Sequence, residues 1–430
     1  MIEMTNTEAA PEKRSLFLDA LGPGLITGAS DDDPSGIATY SQAGAQFGYG
    51  LGWTLVLSYP LMVAIQLISA RIGRVTGHGI AGNIRRYYPP WLLHLLVGLV
   101  LVANTINLGA DLGAMGAAVK LLAGGPALLY VVSFGLATVL LEVFMRYSRY
   151  VAVLKWLSLS LLAYVATAFT VRLSWSDVAL GVFVPHIVWS HDYIVTIVAV
   201  LGTTISPYLF FWQAEEEVEE TEEKPGAAPL KKAPEQAPAE IRRIEIDTYL
   251  GMAASNIVAL FIVVTTAATL HAHGVTNIQT SADAAEALKP LAGDFAFALF
   301  ACGIIGTGLL ALPVLAGSAA YALGEALRWP VGLARLWYQA RAFYGTIAVA
   351  TAIGTIMNFL PLDPIKALFW SAVINGVTAV PIMVIMMLVA TRRQVMGDFV
   401  LSPRLRFMGW LSTAVIALAA VVMIGSWFIS

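Results

Sequence analysis

Apolar residues in this chain gather into eleven long stretches, each reaching or approaching the ~20 residues a helix needs to cross a bilayer. They lie at 16–47, 51–72, 88–110, 124–145, 149–171, 191–213, 247–270, 292–323, 341–360, 366–390 and 407–429. The first is interrupted by polar residues and the eighth is overlong. The pattern predicts an all-α polytopic membrane protein with the lipid bilayer as its solvent.

Composition supports that reading. Of 430 residues, 58% are hydrophobic and only 12% charged, against about 25% charged in soluble chains, and the mean hydropathy is +0.74. The single Cys302 excludes an intrachain disulfide, and no Cys/His spacing indicates a structural zinc. No basic stripe points to nucleic acid. No Ser/His/Asp set, HExxH or glycine-rich phosphate loop points to an enzyme. Neither a cofactor nor an obligate protein partner is expected.

The basic residues test the span count independently. With residues 1–15 read as a cytosolic tail, 21 of the 25 Lys and Arg fall on the internal side, leaving Lys120, Arg172, Lys289 and Lys366 outside. This places the N-terminus in the cytosol and the C-terminus outside, in an inner (plasma) membrane. Residues 214–246, rich in Glu, Pro, Ala and Lys, read as a flexible cytosolic linker. His271 and His273 in the loop 271–289 read as surface residues for want of a third ligand.

Span one contains Asp31, Asp32 and Asp33, followed by Pro34, Ser35 and Gly36. A carboxylate in hydrocarbon costs roughly 2.5–3.5 kcal/mol on insertion scales, so the cluster requires water or a cation. Pro34 removes a backbone donor and clashes with the preceding turn. A loop between two short helices is the competing reading, but the flanking pieces, 16–30 and 37–47, are each too short to span. A broken helix fits better, and it bares carbonyls that can coordinate cations beside a cavity.

Span six carries a second break, where Pro207 follows Thr203, Thr204, Ile205 and Ser206 and precedes Tyr208. Breaks five spans apart are the expected signature of an inverted five-plus-five repeat with substrate held where they meet. The boundaries are then 16–171 and 191–390, the latter containing the 214–246 linker, with an eleventh helix at 407–429. Asp33, the backbone near Thr203, and Ser206 are the expected metal ligands. Asn375 in span ten either adds its carbonyl oxygen or bonds across a helix interface. Asp111 in span three is a pathway or pairing residue, and Glu142 a gate or helix-end partner. Asp31 and Asp32 concentrate cations or pair within the bundle. An all-oxygen set suits Mg2+, Mn2+ or Ca2+. A symporter of organic solutes is a rival, against which a buried Asp33 disfavours an anionic ligand.

The residues GPGLITGASDDDPSGIATYSQAGAQFGYGLGW resemble the first-helix signature of the Nramp divalent-metal transporters, QLISARIGRVTG the end of their second helix, and ADLGAMG their third-helix motif. The resemblance covers residues 18–429 and implies a LeuT-like fold with alternating access and metal held between helices one and six. Asp33 matches the family's metal-binding aspartate, while the motif's asparagine is replaced by Gly36. The family's Met-Pro-His is replaced by Ser206-Pro207-Tyr208, and a third-helix glutamate by Ala114, although Asp111 is kept. Loss of the soft thioether and of two proton-route groups resembles the Nramp-related magnesium transporters. The resemblance thus implies Mg2+ import, with Mn2+ also accepted, without proton coupling. The alternative is an H+-coupled Mn2+/Fe2+ symporter.

Overall fold

The computed structural model describes residues 23–144, 161–171 and 173–428, and these form helices with no strand. The helices that build the fold are α1 Pro23–Asp31, α2 Pro34–Phe47, α3 Gly52–Thr76, α4 Ile80–Tyr87, α5 Pro90–Ala123, α6 Ala127–Phe144, α7 Leu162–Thr170 and α8 Trp175–Phe183. They continue with α9 His191–Thr204, α10 Pro207–Glu223, α11 Ala237–Thr269, α12 Ala296–Leu327, α13 Arg341–Met357, α14 Pro364–Thr391 and α15 Pro403–Ser426. Apart from α4 and α8, which lie between the predicted apolar stretches, the described helices follow them. The fifth stretch lies mostly outside the described residues, which hold only its end, α7.

Prolines open several of these helices at the first position, where the missing N–H would be unpaired anyway. Pro34, Pro207, Pro364 and Pro403 all sit there. Asp363 caps α14 through the amides of Ile365 and Lys366, at 2.9 and 3.3 Å. Large apolar side chains such as Val102, Leu136, Leu418 and Val421 point outward, as they must where lipid is the solvent.

Inside, small residues let backbones touch. A Cβ on Gly28 would collide with the backbone of Gly251, joining α1 to α11, and one on Gly202 would collide with Ala372 and Gly376, joining α9 to α14. The two interrupted helices pack in crossed fashion, α1 against α10 and α2 against α9. This brings the two breaks together inside the bundle.

The segment predicted as a flexible linker is largely ordered helix. The second half of the broken pair continues through Glu223, and α11 begins at Ala237. The physical reason is pairing: Glu217 is fully buried against Arg243 at 2.5 Å, and Arg74 fastens the intervening turn through Ala228 O at 2.6 Å and Gln236 at 2.9 Å. Acidic composition alone suggested solvation, whereas arginines remote in sequence supply the missing counter-charge. This side of the bundle is its linker end.

Candidate metal site

Asp33 sits at the break between α1 and α2 and is 1% exposed. It is the N-cap of α2: Oδ1 accepts from the Gly36 amide and from the Ser35 hydroxyl, both at 2.7 Å. Such a cap replaces backbone bonds lost at the break. Oδ2 points across the bundle, accepting from Asn107 Nδ2 of α5 at 3.0 Å and from the Tyr208 hydroxyl of α10 at 3.4 Å. Tyr208 also donates to Ser30 O at 3.0 Å, a carbonyl in the last turn of α1. The first turn of α10 is thereby tied to both sides of the first break.

The second break is less tightly capped. Ser206 is the N-cap of α10 but makes no side-chain cap bond. Its hydroxyl turns back to Gly202 O at 2.6 Å and Thr203 O at 2.9 Å. Thr203 donates to Tyr40 of α2 at 3.0 Å and to Val200 O at 2.9 Å. Hydroxyl and carbonyl oxygens therefore line the second break, yet Tyr208 rather than Ser206 is the residue that touches Asp33.

The three consecutive aspartates do not converge. Ser255 of α11 donates to Asp31 Oδ2 at 2.6 Å and lies 3.2 Å from Asp32 Oδ1, so those two carboxylates face α11. Among the described residues, no three His, Cys, Asp or Glu side chains gather around a common point. Asp111, one turn along α5 from Asn107, neighbours Asp33 and the Ser35 amide, and neither of its oxygens makes a hydrogen bond of ordinary geometry. Asn375 is buried, with neither side-chain atom hydrogen-bonded among the described residues. Glu142 is buried with no hydrogen-bond partner among the described residues, and the neighbouring Arg146 and Arg149 lie outside them. His271 and His273 are exposed and bond to the carbonyls of Ala45 and Thr269.

The two ends of the bundle differ. Away from the linker, a cavity of about 370 Å³ reaches α2 at Ala38 and is lined by Gln42, Asp192, Thr196, Asn277 and Lys366. At the linker end, Arg243 binds Glu217, Glu220 and Glu240 at 2.5, 3.1 and 3.0 Å, Arg71 binds Glu245 at 2.6 Å, and Tyr321 donates to Glu219 at 2.6 Å. Between α3 and α4, burial together with Arg86, Arg85 and Lys232 pushes the His78 imidazole down to about 4. It is therefore neutral at pH 7, which spares Arg85, Arg86 and Lys232 another positive charge beside them.

A family model, natural resistance-associated macrophage protein-like, matches residues 24–426. The chain belongs to the Nramp family. A divalent metal cation transporter, MntH, from Klebsiella pneumoniae (strain 342) is 27% identical over 434 aligned positions, covering 100% of this chain and 97% of the relative. The crystal structure of the Eremococcus coleocola manganese transporter, in complex with an aromatic bis-isothiourea substituted compound, superposes with a TM-score of 0.73 at 17% identity, covering 99% of this chain and 91% of that one. MhsT in complex with L-phenylalanine gives a TM-score of 0.59 at 12% identity, over 94% and 98%. These likenesses show the fold, a LeuT-like inverted five-plus-five repeat with an eleventh helix.

Within this Nramp fold, two residues at the carboxylate escaped the sequence reading. Asn107 contacts Asp33 directly, and Ser371 of α14 donates to Asn107 Oδ1 at 2.7 Å. A helical-period signal for the first was present, because Asn104, Asn107 and Asp111 lie at i, i+3 and i+7 along one face of an otherwise apolar span. Asn104 spends its amide on Leu315 O and Ser318 Oγ of α12, at 3.0 and 2.8 Å, leaving Asn107 to the site.

Proposed function

We propose that this Nramp protein moves divalent metal cations across the plasma membrane by alternating access, with Mg2+ as the preferred cargo, Mn2+ also accepted, and no obligatory proton coupling. The observation that carries the reading is the buried carboxylate of Asp33 at the first helix break, whose Oδ2 is met only by neutral donors, the Asn107 amide and the Tyr208 hydroxyl, while hydroxyl and carbonyl oxygens of Thr203 and Ser206 line the second break. One carboxylate with hydroxyl, carbonyl and amide oxygens suits a hard cation that retains part of its water shell. The related MntH and manganese transporter support divalent metal as the class of cargo. Ser206 and Tyr208 support Mg2+ within that class, because neither supplies a soft sulfur or a titrating imidazole.

In this reading cation enters through the cavity near Ala38, which faces outside, and meets Asp33 Oδ2 with the backbone of Thr203 and the oxygens around Ser206. Asn375, on the helix that also carries Ser371, adds its free carbonyl. Asp111 lies on the pathway, and Asp31 and Asp32 act on α11 rather than as direct ligands. The linker end, with its arginines and the N-terminal tail, faces the cytosol, and the C-terminus faces out, following the distribution of Lys and Arg. The repeats span 16–171 and 191–390. Rocking of the bundle that carries both breaks then separates α10 from α11 at the linker-end cluster and opens the inner route.

A proton-coupled Mn2+/Fe2+ symporter is the second reading, favoured by the manganese transporter likeness and by the buried Asp111. Paired Mg2+ and Mn2+ uptake into proteoliposomes at matched membrane potentials, with an internal pH dye, separates the two. Saturable Mg2+ entry without metal-dependent acidification is expected. Mn2+ entry with acidification and no Mg2+ entry would replace the first reading with the second.

A further inference from the structure

We propose that Asn107 is a selectivity-determining ligand, which brings its side-chain oxygen to the cargo by an amide turn that Ser371 permits. The inference rests on Asp33 being the metal carboxylate. Of the two Asp33 oxygens, Oδ1 is committed to the cap of α2 through Gly36 and Ser35. Oδ2 is the exchangeable one, because both its partners are side chains of other helices, Asn107 and Tyr208, and neither belongs to the cap. A dication approaching Oδ2 meets the N–H face of the Asn107 amide. That face repels it.

Half a turn of the amide reverses the situation. Oδ1 then faces the cation and Nδ2 faces Ser371. Ser371 can accept this exchange because its hydroxyl lies 2.7 Å from Leu368 O as well as 2.7 Å from Asn107 Oδ1. With its proton given to Leu368 O, its lone pair is free to receive Nδ2. Asn107 and Ser371 are 0% and 1% exposed, so no bulk water substitutes for either bond.

The two orientations satisfy the Asn107–Ser371 pair equally well and differ at Asp33. Without a cation, the turned amide would set its carbonyl oxygen against a carboxylate, two acceptors face to face. With a cation between them, the same oxygen is a ligand. The cargo therefore selects the turned state through its own differential contact. An amide oxygen is a hard donor, so the gain is greater for Mg2+ than for Mn2+, which tolerates softer surroundings.

The test uses the full-length purified protein, with uptake into proteoliposomes and calorimetric titration of Mg2+ and Mn2+. Asn107→Leu is expected to raise the half-saturating Mg2+ concentration by about tenfold and that of Mn2+ by about threefold, the first being ~1.4 kcal/mol of binding. Asn107→Asp offers an oxygen in either orientation and is expected to recover most of the loss. Ser371→Ala is expected to give about a threefold loss for Mg2+. A purely structural role would lower maximal rate and thermal stability for both ions alike, without the split in half-saturation. Unchanged Mg2+ half-saturation in Asn107→Leu, or equal shifts for both ions, overturns the inference. Should Asn107→Leu fail to insert, Asn107→Asp decides: a Mg2+ loss beyond about tenfold overturns it. Mg2+ binding that survives Asp33→Asn sinks the metal-site reading itself, a separate outcome.

Discussion

At the first helix break, Asp33 meets a backbone amide, a serine hydroxyl, an asparagine amide and a tyrosine hydroxyl; at the linker end, Glu217 meets the Arg243 guanidinium at 2.5 Å. Burial does not separate the two, since Asp33 is 1% exposed and Glu217 0%. The difference is the partner. A guanidinium is a permanent counter-charge: Arg243 contacts Glu217 and Glu220 of α10 and Glu240 of its own helix, and the first two tie α10 to α11. Neutral donors stabilise Asp33 only partly, and two of them can be turned aside. A buried acid with a fixed cation closes a structure, whereas one with displaceable neutral donors is suited to a mobile cation.

The largest expected effect tests the Asp33 half of that comparison. Asp33→Ala is expected to abolish Mg2+ and Mn2+ uptake while membrane insertion stays intact. Because alanine also deletes the α2 cap, at about 1 kcal/mol, Asp33→Asn is the sharper variant: its oxygen keeps an acceptor for Gly36 and Ser35, while the charge and the Oδ2 acceptor are lost. Uptake that survives in both would remove Asp33 from the pathway. Next comes the linker end, where Arg243→Met strands Glu217 without its partner. Breaking a buried pair in this way costs about 3–5 kcal/mol. Chemical unfolding of the purified protein should show that loss, and added Mg2+ should still stabilise the variant by ~2.7 kcal/mol at a hundred times its Kd. If Arg243→Met instead left stability untouched and abolished Mg2+ binding, the two regions would not be doing different jobs.

Much of this was legible from the chain. Uninterrupted apolar runs determine where helices cross, and Pro34 and Pro207 mark the breaks because a proline cannot continue a helix from its amide side. Asp33 stood out for the cost of burying it. The sequence misled where charge pairs with distant charge: residues 215–223 read as solvated because Arg243, the partner of Glu217 and Glu220, lies far away along the chain. Asn107 and Ser371 were missed for a different reason. A single polar residue in a span has two fates, a helix contact or a site, and only the packing of α5 against α14 decides. Asn104, three residues earlier on the same helix, took the other fate.

The smallest expected effect bears on which hard ion the site prefers. Ser206 contributes no cap bond to α10, and its hydroxyl is spent on carbonyls of its own chain, so replacing it removes no contact to Asp33. Methionine there would place a polarisable thioether at the second break and free the carbonyls of Gly202 and Thr203. Ser206→Met is therefore expected to shift the ratio of Mn2+ to Mg2+ uptake by about tenfold toward Mn2+, which is ~1.4 kcal/mol. The position is 1% exposed, so the larger side chain is also expected to cost about 1–3 kcal/mol of stability through overpacking. A ratio taken on one preparation cancels the folded fraction, which keeps the two effects apart. An unchanged ratio would mean that selectivity resides in the oxygens contributed by α5 and α14 and owes nothing to the missing sulfur.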